Sequence, residues 1–133
     1  EPCRTATLKA AAEARAAGHW LREQGVMPAR VLCSPALRAR QTLEHALGDV
    51  AAQIEPRIYA ATAGDLDTLI DEHADAQRLL LVGHNPGFET FVALLATGQS
   101  GDFRGMPPGG IAWFELDGTA EPGSGRLKAF WSP

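Results

Sequence analysis

The sequence predicts an α/β fold: a three-layer α/β/α sandwich around a mainly parallel, mixed open sheet. Three observations carry this. Short apolar runs alternate with helix-forming stretches along the chain, the order that winds helices onto the faces of a sheet. One run, Leu79-Leu80-Leu81-Val82, is apolar at every position, as in a strand covered on both faces, and is expected to be central and parallel. No repeat, linker or composition shift divides the 133 residues, so a single domain spanning 1–133 is expected.

Residues 7–24 are rich in Ala with interspersed Glu13, Arg15, Arg22 and Glu23, which predicts a helix ended by Gly25. Leu8, Ala12, Ala16 and Trp20 recur about every four residues and mark its expected apolar face. Arg30-Val31-Leu32-Cys33 reads as a short buried strand. Ser34-Pro35 then offers a capping hydroxyl followed by proline at the first helical position. The helix after it carries Ala39, Leu43, Ala46 and Leu47 on one face and stops at Gly48. Residues 54–58 suggest a second short strand, interrupted by Pro56. Leu66, Leu69, Ile70 and His73 have helical spacing, as do Phe88, Phe91, Val92 and Leu95 after the Asn85-Pro86-Gly87 turn. Residues 111–114 and 127–131 read as two strands joined by a Gly/Pro/Ser-rich loop at 118–125. The loop at 99–110 is long enough to shape a pocket rim.

Composition narrows the function. Hydrophobic residues make up 45% and charged ones 21%, the balance of a globular domain. The formal net charge of -4 argues against a nucleic-acid partner. No apolar run approaches the ~18 residues that would span a bilayer, so no membrane role is expected. Two cysteines make no disulfide framework, and a reduced, cytoplasmic setting is expected. The first residue is Glu1 rather than methionine, and a longer gene product or a lost early segment is expected.

In an open α/β sheet, ligands collect beyond the carboxyl ends of the strands. Two strand ends carry unusual polar residues. Ser34-Pro35-Ala36-Leu37-Arg38-Ala39-Arg40-Gln41-Thr42 follows the first strand, and Gly83-His84-Asn85-Pro86-Gly87 follows the apolar run. If both strands are parallel, Arg38 and His84 meet at one edge. An arginine near a helix N-terminus is a good phosphate receptor. Taken singly, each has a plainer reading: Arg38 as a solvated helix residue, His84 as a packing residue. His19, His45 and His73 keep that plainer reading, since each lies in a helical stretch. A cysteine phosphatase built on Cys33 and Arg38 is disfavoured. Only four residues separate them, too few for a phosphate-cradling loop, and the Ser-Pro between them starts a helix. No motif supports a metal site or a cofactor.

Together these segments resemble the histidine phosphatase superfamily (phosphoglycerate mutase-like), in its SixA-like phosphohistidine phosphatase branch. Ser34-Pro35, Arg38-Ala39 and Gln41-Thr42 match its S-P-x-x-R-A-x-Q-T signature, and Val82-Gly83-His84-Asn85-Pro86-Gly87 its second-histidine motif. Met106-Pro107-Pro108-Gly109-Gly110-Ile111-Ala112 is similar to the M-P-T-G-A-x-A segment of the short members. The resemblance implies a two-step covalent mechanism in which a histidine attacks phosphorus and water hydrolyses the phosphoenzyme. It makes Arg38 the second phosphate arginine and His84 the second histidine, with Arg4 and Asn85 as substrate-binding candidates. The implied substrate is phosphohistidine on a protein. Its imidazole leaves readily once protonated near its own pKa of about 6.5. Members that cleave phosphate esters use a carboxylic acid on the leaving group; Asp65 and Glu89 are candidates, with a surface role the plainer reading of both.

One departure stands out. The family's first strand ends in Arg-His-Gly or Arg-His-Ala, whose histidine takes the phosphoryl group, and neither tripeptide occurs in the 133 residues. Arg4-Thr5-Ala6-Thr7-Leu8-Lys9-Ala10 keeps only the arginine and a threonine of the R-P-L-T-x-x-G segment that follows it. The domain is therefore expected to lack its first strand. Two alternatives stay open: a degenerate domain that binds phosphate or phosphoprotein without turnover, and a phosphatase of small phosphate esters.

Overall fold

The computed structural model describes residues 8–84, 87–99, 106–107, 109–117 and 121–133. In chain order the elements are α1 (Leu8–Gln24), β1 (Arg30–Cys33), α2 (Leu37–Leu47), β2 (Gln53–Ile54), a 3₁₀ turn (Pro56–Ile58), α3 (Ala63–Glu72), β3 (Leu79–Val82), α4 (Gly87–Thr97), β4 (Ile111–Glu115) and β5 (Arg126–Trp131). The fold is α/β, as the alternation predicts.

β2, β1 and β3 form a parallel sheet in that order, and β4 and β5 form a separate antiparallel pair. Period-2 alternation sends the strand side chains to opposite layers. Val31 and Cys33, with Leu80 and Val82, pack into a core shared with Ala14 and Leu21 of α1 and Ala39, Leu43, Ala46 and Leu47 of α2. Leu32, Leu79 and Leu81 face the other way, toward Leu66 and Leu69 of α3 and Phe91 and Leu95 of α4. β4 contributes to both layers, through Ile111 to the first and Phe114 to the second. Trp20 of α1 stacks on Trp131 at 5.8 Å and meets the edge of Trp113 at 6.4 Å, which anchors the hairpin to the first layer.

Several expectations shift. The buried face of α1 is Ala11, Ala14, Ala17, Gly18 and Leu21, whereas Ala12 is exposed and Trp20 only half-buried. Close packing selects the small residues: a Cβ on Gly18 would lie 1.7 Å from the Ala46 carbonyl oxygen of α2. α2 begins at Leu37 with Ala36 as its N-cap and no side-chain cap, so Ser34 does not cap it. The expected strand at 54–58 shortens to Gln53–Ile54, because Pro56 opens the 3₁₀ turn that Glu55 caps. β3 is parallel, but it is not central among the described residues. It pairs only with β1 and is half-buried along its whole length.

Candidate active site

The two polar segments come together because β1 and β3 run parallel with Cys33 opposite Val82. One residue on, the Ser34 N–H donates to the Val82 carbonyl at 3.0 Å, extending the ladder into the loops. Ser34 is fully buried. Its Oγ accepts from the Ala36 N–H at 3.2 Å and lies 2.7 Å from His84 Nε2. The second motif is thereby joined to the first across 50 residues of sequence.

Close approach fixes the His84 turn from the other side. A Cβ on Gly83 would meet Ile58 Cγ2 and Phe88 Cε1 at 2.6 Å, and one on Gly87 would lie 2.3 Å from the Ala61 carbonyl oxygen. Only glycine lets the turn sit this near the 3₁₀ segment. The Phe88 N–H donates to the His84 carbonyl at 3.1 Å. Tyr59, the single tyrosine of the chain, sets its ring edge-on to the imidazole at 5.6 Å. Its position follows from the 3₁₀ turn. The buried Glu55 carboxylate accepts from the Arg57 backbone N–H and guanidinium, and Arg57 also reaches Glu72 at 2.8 Å. The Arg57 guanidinium holds the Glu55 carboxyl below its ordinary pKa.

Arg38 is the second residue of α2, near the helix N-terminus as expected, and half-buried. Thr42 donates its hydroxyl to the Arg38 carbonyl at 2.9 Å, which ties the threonine of the first motif to the turn bearing the arginine. Arg4 and Asn85 lie outside the described residues, as does most of the 99–110 loop. From that loop, the Met106 N–H donates to Glu89 Oε2 of α4 at 3.2 Å, fastening the third motif to the helix that follows His84.

The remaining candidates separate on physical grounds. Asp65 forms a capping box with Thr62, and that backbone N–H holds its carboxyl below the ordinary value. An acid kept ionised makes a poor proton donor. Cys33 is a free, buried thiol whose pKa burial pushes up to about 11, so a thiolate nucleophile is unsupported. His73 Nδ1 lies 3.0 Å from the Arg30 guanidinium, and His19 is exposed beside Glu23. Among the described residues no group of His, Cys, Asp and Glu could hold a metal ion, and no helix is long and apolar enough to cross a membrane. Sequence reasoning missed the parts two residues play here: Tyr59 sits in an unremarkable turn, and Ser34, although part of the first motif, read as a helix cap.

Two parallel strands ending in Ser-Pro-x-x-Arg and Gly-His, sandwiched between helix layers, define a histidine phosphatase fold. Solved structures agree. The protein histidine phosphatase SixA complexed with tungstate superposes with a TM-score of 0.85 at 26% identity, covering 99% of this chain and 86% of that one. The SixA protein of Nakamurella multipartitia gives 0.84 at 26% identity, with the same coverage. That of Agrobacterium tumefaciens, at 0.83 and 23%, supports the fold alone. No protein-family model matches the chain. The uncharacterized protein Rv1276c of Mycobacterium tuberculosis is 36% identical over 132 residues, covering 91% of this chain and 84% of that protein. ML1117 of Mycobacterium leprae is 34% identical over 134 residues, covering 91% and 81%. The chain belongs to the family of these mycobacterial proteins and, by its structural likeness, to the SixA-like branch of the histidine phosphatase superfamily.

Proposed function

We propose that this domain removes the phosphoryl group from phosphohistidine on a protein, with the nucleophilic histidine carried on a strand outside the 133 residues. The observation that carries the reading is the Ser34–His84 hydrogen bond, which joins the two phosphate-binding motifs at one sheet edge. Arg38 would meet the phosphoryl oxygens from the first turn of α2, whose N-cap Ala36 adds no side chain, and His84 from the facing loop. Asn85 and Arg4 would complete the anion's surroundings.

The place for the additional strand is suggested by the sheet. Among the described residues β3 has one paired edge, and β4 contributes side chains to the same two cores. A parallel strand seated between them would bring an Arg-His-Gly or Arg-His-Ala end beside His84. The histidine nitrogen would then attack phosphorus, the P–N bond of the substrate would break, and the protonated imidazole would leave. Water attacking the phosphoenzyme would release inorganic phosphate. A phosphoramidate suits this site better than an ester, because Asp65, one of the two candidate acids, is held as a carboxylate. The buried free thiol of Cys33 suits a reducing, cytoplasmic setting.

The test compares the 133-residue chain with one extended by a strand bearing the tripeptide. The extended chain is expected to hydrolyse phosphohistidine and to carry an acid-labile label on histidine during turnover. In it, Arg38→Ala or His84→Ala should each lower turnover by roughly 10²–10³. Near-normal turnover in either variant would misplace the site. A second reading, a binding module without turnover, is favoured by the absence of the tripeptide from the 133 residues. Vanadate or phosphate binding by an extended chain that still fails to turn over would establish it.

A further inference from the structure

We infer that Tyr59 is a specificity-determining residue whose ring packs against the leaving imidazole of phosphohistidine. The inference rests on the reading of the edge bearing Arg38 and His84 as a phosphoryl site and deepens it. Four large apolar or aromatic residues stand exposed among the described residues: Met27, Ile54, Tyr59 and Leu127. Two of them lie at the carboxyl edge of the parallel sheet: Ile54, opposite Cys33 at the end of β2, and Tyr59 in the turn that follows. The same edge carries Ser34, Arg38 and His84. A single exposed aromatic needs no function. Tyr59 is distinguished by its neighbour, for its ring centroid lies 5.6 Å from that of His84 with the planes 77° apart.

The 3₁₀ turn directs this side chain outward. Ile58 enters the core at 1% exposure, and in so tight a turn the next residue leaves in another direction, so Tyr59 keeps 38% of its surface open. The Tyr59 N–H donates to the Pro56 carbonyl at 3.2 Å, and Arg57 clamps the turn through Glu55 and through Glu72 of α3. A ring set in place beforehand loses little freedom on binding. The near-perpendicular pairing leaves at least one face of the tyrosine uncovered by the His84 imidazole. The leaving group of phosphohistidine is itself a planar aromatic, and it carries a positive charge once it takes the proton with which it departs. Such a ring packs on an aromatic neighbour and, when charged, is attracted to its face. Anionic phosphoryl oxygens gain nothing from that face, so Tyr59 reads the leaving group while Arg38 and His84 read the phosphoryl group. Direction agrees. In-line transfer sets attacking and leaving atoms on opposite sides of phosphorus. The turn bearing Tyr59 arrives from the β2 side of the sheet, and the nucleophile's strand is proposed beyond β3.

Two ligands test this on the extended chain, one with a ring and one without. A peptide carrying a stable phosphonotriazole in place of phosphohistidine presents the oxygens and the ring together; orthovanadate presents oxygens alone. Tyr59→Ala should weaken the phosphonotriazole peptide roughly 3- to 10-fold, the size of one aromatic pair, and leave orthovanadate affinity unchanged. Tyr59→Phe, which keeps the ring, should bind both ligands as the native residue does. Turnover should follow suit. In Tyr59→Ala, kcat/KM should fall by a similar factor for phosphohistidine and stay level for phosphoramidate, which has the same P–N bond and no ring. Equal weakening of both ligands would overturn the inference, reducing Tyr59 to a support for His84. Unchanged binding of the peptide, or its loss in Tyr59→Phe, would overturn it too. Orthovanadate affinity unmoved by Arg38→Ala and His84→Ala would instead overturn the phosphoryl site itself, so the two failures are read on different ligands. Substitution of an exposed side chain puts neither Tyr59 variant's folding at risk.

Discussion

β1 and β3 are two four-residue strands, both apolar over their last three positions, parallel and in register, yet they differ in burial. Val31, Leu32 and Cys33 are 4% exposed or less, while every residue of β3 is half-buried. Helices pack on both faces of each strand. What differs is the edge: β1 lies between β2 and β3, and β3 has β1 alone among the described strands. Lateral pairing, and not apolar content, sets how fully a strand is sealed. An unpaired apolar edge is also what a sheet exposes where a further strand belongs.

The comparison is broken most directly by equivalent truncations in its two members. Leu32→Ala should cost about 2–5 kcal/mol in denaturant unfolding, the range for a fully buried leucine. Leu81→Ala, at the half-buried register partner of Leu32, should cost only about 1–2 kcal/mol. In a chain carrying the additional strand, the Leu81 cost should rise toward that of Leu32, and the β3 amides should become as protected from hydrogen exchange as those of β1. Equal costs in the 133-residue chain would remove the basis for the proposed neighbouring strand.

A smaller effect is expected at the strand ends, where β1 leads to Ser34 and β3 to Gly83. Gly83→Ala would press a methyl group against Ile58, which is 1% exposed, and against Phe88. It should cost about 1–3 kcal/mol in thermal or denaturant unfolding and displace His84 from Ser34. A neutral result would mean that the turn and the 3₁₀ segment are not tightly opposed.

The smallest effect belongs to the outer side of β1, where the Glu55 N–H donates to the Cys33 carbonyl. Arg57 lowers the pKa of Glu55 in the folded protein, and of Glu72 with it. Their contribution is present above the unfolded carboxylate pKa and is lost as pH falls through the lower folded values. Thermal melts should therefore show stability falling on acidification below about pH 4.5, the ordinary range for glutamate. Arg57→Ala should be less stable at neutral pH and lose less on acidification. A variant with an unchanged pH profile would show that the ion pairs are screened away.

The sequence by itself determined the class, the element order and the motifs, because each rests on short-range rules. Ala39, Leu43, Ala46 and Leu47 are buried as their spacing predicts, and α3 and α4 fall where the 3.6-residue period places them. The likeness of the two strand-end motifs to SixA proteins was legible for the same reason, since each motif is local. What only the tertiary structure decided are matters of neighbourhood. The buried stripe of α1 runs through Ala14 and Gly18 and not Ala12 and Ala16, because α2 comes close enough to admit only small side chains. Ser34 is bound to His84 and not to a helix start, because parallel register puts Val82 opposite Cys33 and carries the next residues past each other. Tyr59 reaches His84 through a turn whose direction Glu55 and Arg57 set by hydrogen bonds. Hydrophobic pattern records which residues avoid water. It does not record which strand or side chain they will meet, and that pairing is what assembles the site.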